Sequence, residues 1–269
     1  MAVKEDWAGL DRILCKRINA PVVIFDNRGI GESDVPAGDY TIVQLTKDMF
    51  TVATAALGGI EFDVFGISMG GCIAQTAALM PNSRIRRLVL GCSTPGGRAA
   101  KPGPGLQACF NIVRDPSTKS LSPRELLSNV HHNNLPPSWV MEYPDMFSQF
   151  ISDLLRYNRP LDGISSQAVA LSKFNLSRHL PSLSTPTLII HGDEDQMVPI
   201  ESGKLLHNLL PESQMIELKG AAHLFWITHL HDTVRPVAAF LKSPNPREDK
   251  SPHLMASTTS SAHNPRAKL

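Results

Sequence analysis

Gly66-Ile67-Ser68-Met69-Gly70-Gly71, directly behind the apolar run Phe62-Asp63-Val64-Phe65, constrains this chain more than any other stretch. Residues 59–65 are predicted to form a short strand. Residues 72–80 are predicted to form a helix stopped by Pro81. Glycines on both sides of one serine let the chain reverse sharply between the two, and the serine is pushed clear of the backbone. The bland alternative is a serine in a flexible linker, but the strand, turn and helix context is what a nucleophile turn requires. Ser68 is therefore the candidate nucleophile.

A serine hydroxyl needs a base to take its proton, and the base needs an acid to hold its tautomer. Residues 186–190 (Pro-Thr-Leu-Ile-Ile) are predicted as an apolar strand running into the acidic loop His191-Gly192-Asp193-Glu194-Asp195. Asp195 is the candidate acid, with Asp193 and Glu194 beside it as alternatives. A further strand over residues 214–218 leads into Lys219-Gly220-Ala221-Ala222-His223, and His223 is the candidate base. The other histidines, His131, His132, His229 and His231 among them, lack this context of strand and then glycine. His191 is expected to shape its loop, and Cys72, one turn beyond Ser68, to be buried packing.

The order serine, acid, histidine, each just beyond a strand, resembles the α/β-hydrolase superfamily. The likeness spans roughly residues 7–242 and rests on four ordered motifs: residues 22–33 (Val-Val-Ile-Phe-Asp-Asn-Arg-Gly-Ile-Gly-Glu-Ser), the turn at Ser68, His191-Gly192-x-x-Asp195 with Pro199, and Gly220-x-x-His223. The resemblance implies an α/β fold with a mostly parallel sheet and helices on both faces. It selects Asp195 as the acid, four residues after the histidine of the His-Gly pair. It also implies that the Met69 amide is one oxyanion donor and that residues 26–33 are an architectural tight turn. A serine at the turn, where other branches place an attacking aspartate, argues against epoxide hydrolases and dehalogenases.

One departure stands out. Family members carry a His-Gly pair, the source of the second oxyanion donor, on a loop after the third strand and before the first helix. Here the sequence begins at Met1 and is already entering a predicted helix over residues 7–18, followed by a predicted strand over residues 21–25. The resemblance thus predicts an N-terminally truncated hydrolase fold with the first three strands absent and apolar edges left free. The rival to an enzyme is a non-catalytic ligand-binding protein or an inactive truncated form.

The chain has 269 residues, 42% of them hydrophobic, and a formal net charge of +1 with both signs interspersed. That suits one α/β domain and gives no electrostatic case for nucleic acid or an anionic membrane. The expected partner is a small acyl substrate. No histidine, carboxylate or cysteine pattern has metal-ligand spacing, so neither metal nor cofactor is expected. The cysteines, at 15, 72, 92 and 109, read as reduced thiols, and no apolar run has the length of a membrane span.

Residues 94–184 form a long connection, opening with proline and glycine and then predicted helical over residues 123–129, 146–157 and 167–174. By resemblance this is a helical cap over the site. Met141, Tyr143, Phe147, Phe150 and Leu154 either line an apolar cavity there or seat a helix on the domain below. From residue 243 the composition turns to Pro, Ser, Thr and charge, which predicts a disordered tail over residues 243–269. Its last residues, Ala267-Lys268-Leu269, resemble the peroxisomal import signal of the Ser-Lys-Leu type, so a peroxisomal import receptor is an expected partner and the peroxisome the expected location. Together these features imply a serine hydrolase of an ester or thioester. They also resemble the peroxisomal hydrolases of fungal secondary metabolism, including those of host-selective toxin biosynthesis.

Overall fold

The computed structural model describes residues 2–114 and 120–244. Among these residues, four strands, β1 (Phe62–Ile67), β2 (Ile85–Gly91), β3 (Thr187–Gly192) and β4 (Ser213–Leu218), form a parallel sheet in the order β1-β2-β3-β4. β2 and β3 are buried along nearly their whole length. Their apolar centres, residues 88–90 and 188–190, are what a parallel sheet covered on both faces requires.

Side chains alternate across the strands, so neighbouring residues enter different cores. Leu88, Leu90 and Ile189 join one core with α2 (Ile42–Leu57), α3 (Met69–Leu79) and α9 (Ile200–Leu209). Val89, Leu188 and Ile190 join the opposite one with α1 (Leu10–Ile18), α10 (Phe225–Thr228) and α11 (Leu230–Lys242). Fully burying each such side chain stabilises the fold by about 2 kcal/mol. Because all four strands are parallel, their carboxyl ends, and the loops carrying Ser68, Asp195 and His223, lie at one end of the sheet.

Among the described residues, five helices, α4 (Pro104–Arg114), α5 (Pro123–His131), α6 (Pro137–Glu142), α7 (Pro144–Leu154) and α8 (Leu161–Ser172), fill the connection between β2 and β3 that is expected from sequence to be a cap. Four of them begin on proline, whose fixed φ suits the first helical turn and whose missing N–H costs nothing there. Ser122 caps α5, accepting from the Glu125 amide while Glu125 reaches back to residue 122. Of the cap residues proposed from sequence, Phe147 and Leu154 are buried with Leu135 and Ile151 in the cap's own core. Phe150 packs against that core from its margin, whereas Met141 (82% exposed) and Tyr143 (41%) face outward. Phe147 and Leu154 thus hold the cap helices to one another, in a core that Leu224 and Ile227 of the domain below flank.

Two expectations are corrected. Residues 21–25 are not a strand: among the described residues they make no backbone hydrogen bond to any other part of the chain, and Val22 and Val23 are 38% and 41% exposed. A strand exists through its ladder, and the sheet ends at β1. The helix expected from residue 7 is also broken. A 3-10 turn, Lys4–Trp7, is followed by Ala8 and Gly9, both at positive φ, before α1 begins. Trp7 packs edge-on against Phe65 of β1, their ring centres 5.4 Å apart. The tail beyond residue 244, with Ala267, Lys268 and Leu269, lies outside the described residues.

Candidate active site

Ser68 sits between β1 and α3 with φ 55° and ψ −119°, a conformation that L-residues adopt only when the surroundings impose it. Those surroundings are visible. A Cβ on Gly66 would collide with the Gly70 carbonyl, and one on Gly71 with the Ser93 hydroxyl, whereas Gly70 has open space around it. Two of the three glycines therefore serve close approach. The Ser68 N–H donates to the Gly91 carbonyl at 2.8 Å, and the Ser68 carbonyl accepts from Ser93 Oγ at 2.9 Å. Ser93 belongs to a buried polar group with Gln75, whose side-chain amide donates to the Thr94 carbonyl at 3.1 Å. Ser93 and Gln75 were not singled out from sequence, although a polar residue just past a buried strand was an available signal for Ser93.

The Ser68 hydroxyl itself makes no hydrogen bond among the described residues. Met69 opens α3, so its N–H has no carbonyl within the helix to bond. That leaves an N–H donor beside the serine, at the position that the resemblance assigns to an oxyanion donor. Cys72 is fully buried and its thiol is pushed up to about 12 by burial, so it offers no thiolate at neutral pH.

At the ends of β3 and β4 the predicted acid and base meet. His223 Nδ1 donates to Asp195 Oδ2 at 2.8 Å, and both side chains are buried. Asp195 Oδ1 accepts from the amides of Met197 at 2.8 Å and Val198 at 2.9 Å. Burial alone would raise the Asp195 pKa. The positive charge of His223, its hydrogen bond and the nearby His191 ring outweigh it, and the carboxyl is held well below the usual range. Asp193, the rival acid, is engaged elsewhere: it accepts from the Gly220 amide at 2.7 Å and pairs with Lys219 at 3.2 Å. Glu194 donates its amide to the Ala221 carbonyl at 2.9 Å, so the acid loop and the histidine loop are laced together.

Cys92 Sγ, Asp195 and His223 bring three ligand-type atoms within 4.8 Å of one another. Burial, with the Asp195 charge, holds the Cys92 thiol protonated, and both carboxylate oxygens already accept hydrogen bonds. This arrangement suits a proton relay better than a cation.

The cap is tied to both loops. Gly103 and Gly105 donate to the Met197 and Gln196 carbonyls at 3.0 and 2.8 Å, and the Leu224 amide donates to the Asn134 carbonyl at 2.9 Å. His131, at the end of α5, lies edge-on to Phe150, while His132 is exposed against Phe147. Burial first, then neighbouring positive charge including Arg159 and His223, pulls the His131 pKa down to about 3. The turn at residues 26–33 is architectural: Asp26 accepts from the Lys4 and Glu32 amides and pairs with Lys4, and Arg28 forms a bidentate pair with Asp48. A cleft of about 350 Å³ among Met80, Asn82, Ile85 and Thr185 lies at the opposite, amino-terminal ends of β2 and β3.

The alpha/beta hydrolase fold family matches residues 3–230. The chain belongs to that family. Over 205 residues this hydrolase is 26% identical to 3-oxoadipate enol-lactonase 2 of Acinetobacter baylyi, with 76% of this chain and 72% of the lactonase covered. It is 27% identical over 243 residues to polyketide synthase ThaQ of Burkholderia thailandensis, matching 86% of this chain but only 11% of the synthase. The crystal structure of a hydrolase from Pseudomonas aeruginosa PA01 aligns with a TM-score of 0.74 at 25% identity, covering 90% of this chain and 86% of that one. Among the described residues, no helix is long and apolar enough to cross a membrane.

Proposed function

We propose that this protein is a serine hydrolase of an ester or thioester, acting on a small acyl or polyketide-derived substrate. The observation that carries the reading is the buried Asp195–His223 pair at 2.8 Å, at the same end of the sheet where a strained turn presents Ser68. Ser68 Oγ attacks the acyl carbon while His223 Nε2 takes its proton. Asp195 steadies the resulting imidazolium, and the Met69 amide receives part of the oxyanion charge. The proton on His223 then passes to the departing alcohol or thiol. Water, deprotonated by the same imidazole, attacks the acyl-enzyme and releases the acid and Ser68. The free Ser68 hydroxyl is compatible with this sequence, since catalytic hydrogen bonds commonly tighten only once substrate is bound.

The likeness to a stretch of a polyketide synthase supports a polyketide-derived acyl chain, and with it a place in secondary metabolism such as toxin biosynthesis. Ala267-Lys268-Leu269 supports import into peroxisomes through the receptor that reads such termini, where acyl thioesters are at hand. A fluorophosphonate probe tests the central claim. Wild-type protein is expected to label, and Ser68→Ala to lose both the label and at least about 1,000-fold of its esterase kcat. Well-folded wild-type protein that takes no label would instead identify a ligand-binding member of the family. Import is tested by fluorescent fusions: deleting Leu269 is expected to leave the fusion in the cytosol.

A further inference from the structure

Two imidazoles, not one, approach the acid. His191, the last residue but one of β3, is fully buried, with Nε2 2.8 Å from the Val198 carbonyl and 3.5 Å from Asp195 Oδ2, the same oxygen that accepts from His223. A carbonyl only accepts, so Nε2 carries the His191 proton. Nδ1 is buried and has no hydrogen-bond partner among the described residues. It faces α9 at Gly203, where an added Cβ would stand 2.6 Å from it. A proton on Nδ1 would therefore meet no acceptor, and the ring is the Nε2–H tautomer with a single donor to give.

That donor is placed so as to hold the acid loop. The Val198 residue is gripped at both ends: its N–H donates to Asp195 Oδ1 at 2.9 Å and its carbonyl accepts from His191 at 2.8 Å. The contact to Oδ2 at 3.5 Å is too long for a good hydrogen bond and acts as a weak second arm of the same donor. We propose that His191 is a positioning residue: by pinning Val198 it fixes the amides that orient the Asp195 carboxylate, so that Oδ2 stays aimed at His223. This rests on the serine-hydrolase reading above. Cys92, the remaining titratable group at the carboxylate, has its thiol buried and protonated and offers no competing charge.

The test separates a hydrogen-bonding role from mere volume. His191→Phe fills the space without a donor, whereas His191→Gln places an amide N–H where Nε2 was. With 4-nitrophenyl butyrate as substrate, and active sites counted by fluorophosphonate titration so that misfolded protein is excluded, His191→Phe is expected to lower kcat about tenfold with KM within about twofold, and His191→Gln to recover most of the loss. Should the phenylalanine variant not fold, His191→Met, flexible and without a donor, carries the same expectation. A donorless variant with wild-type kcat per labelled site, or a glutamine variant as slow as the donorless one, overturns the proposal. Wild-type protein that takes no label overturns the serine-hydrolase reading itself, and this proposal falls with it.

Discussion

The carboxyl end of β3 and the carboxyl end of β1 prepare their functional groups by opposite means. At β3 the Asp195 carboxylate is surrounded by donors: two amides on Oδ1, His223 on Oδ2, and His191 just beyond. At β1 the Ser68 hydroxyl is bonded to nothing among the described residues, and its position is imposed by backbone strain, by close-packed glycines and by the Ser93 hydroxyl beneath. The difference follows from chemistry. Under the proposed function, an acid that must remain charged while buried needs donors fixed in place, whereas a nucleophile must keep its oxygen available to a reacting carbon. Hydrogen bonds preorganise the first, and strain the second.

Four perturbations would break or sharpen that contrast. The largest expected effect is from Asp195→Asn, which keeps the shape but removes the charge and presents an amide where His223 needs an acceptor. The kcat should fall by about 10,000-fold while circular dichroism shows the protein still folded. A fall of less than about tenfold would show that the donors around Asp195 serve only the fold. Gly66→Ala strikes the strained side. Its methyl group collides with backbone at Gly70, so stability should drop by about 2–3 kcal/mol in urea unfolding.

Acid should loosen the β3 end third. The folded pKa of Asp195 is depressed, so its stabilisation is complete above the unfolded value of about 4 and is lost as pH falls below it, by about 2 kcal/mol in denaturant titrations. Asp26 adds in the same direction: burial works against its charge, but the Glu32 and Lys4 amides and the Lys4 ammonium prevail. Replacing Asp195 by asparagine should flatten this slope. The smallest effect is expected from Ser93→Ala, which frees the Ser68 carbonyl. It should cost about 1 kcal/mol of stability and, because strain needs support, lower kcat by a few fold. Unchanged kcat would mean that the glycines alone hold the turn.

Much of the site was legible because each motif carries its own local physics. Ser68 could be placed because a nucleophile turn needs glycine on either side, and His223 because a glycine turn after a strand aims the next residues across the sheet end. Asp195 could be separated from Asp193 only by family likeness; the structure separates them physically, through the Gly220 amide and Lys219 that occupy Asp193. Residues 21–25 misled, since an apolar, β-branched run has strand propensity whether or not a neighbour exists to pair with it. The apolar cap residues were equally ambiguous. Periodicity says that Phe147, Phe150 and Leu154 share a face, but not what that face meets.

The chain's order of strand, turn and helix, and the candidates Ser68 and His223, follow from sequence alone, because glycine geometry and hydrophobic period are local properties; Asp195 needed the family likeness as well. What only the tertiary structure decided is which polar groups become partners across long stretches of chain: His191 and Asp195 on Val198, Ser93 beneath Ser68, and Asn134 of the cap on Leu224. These bonds depend on where separate elements come to rest. Burial then sets their consequences, by leaving each donor and acceptor no water to turn to.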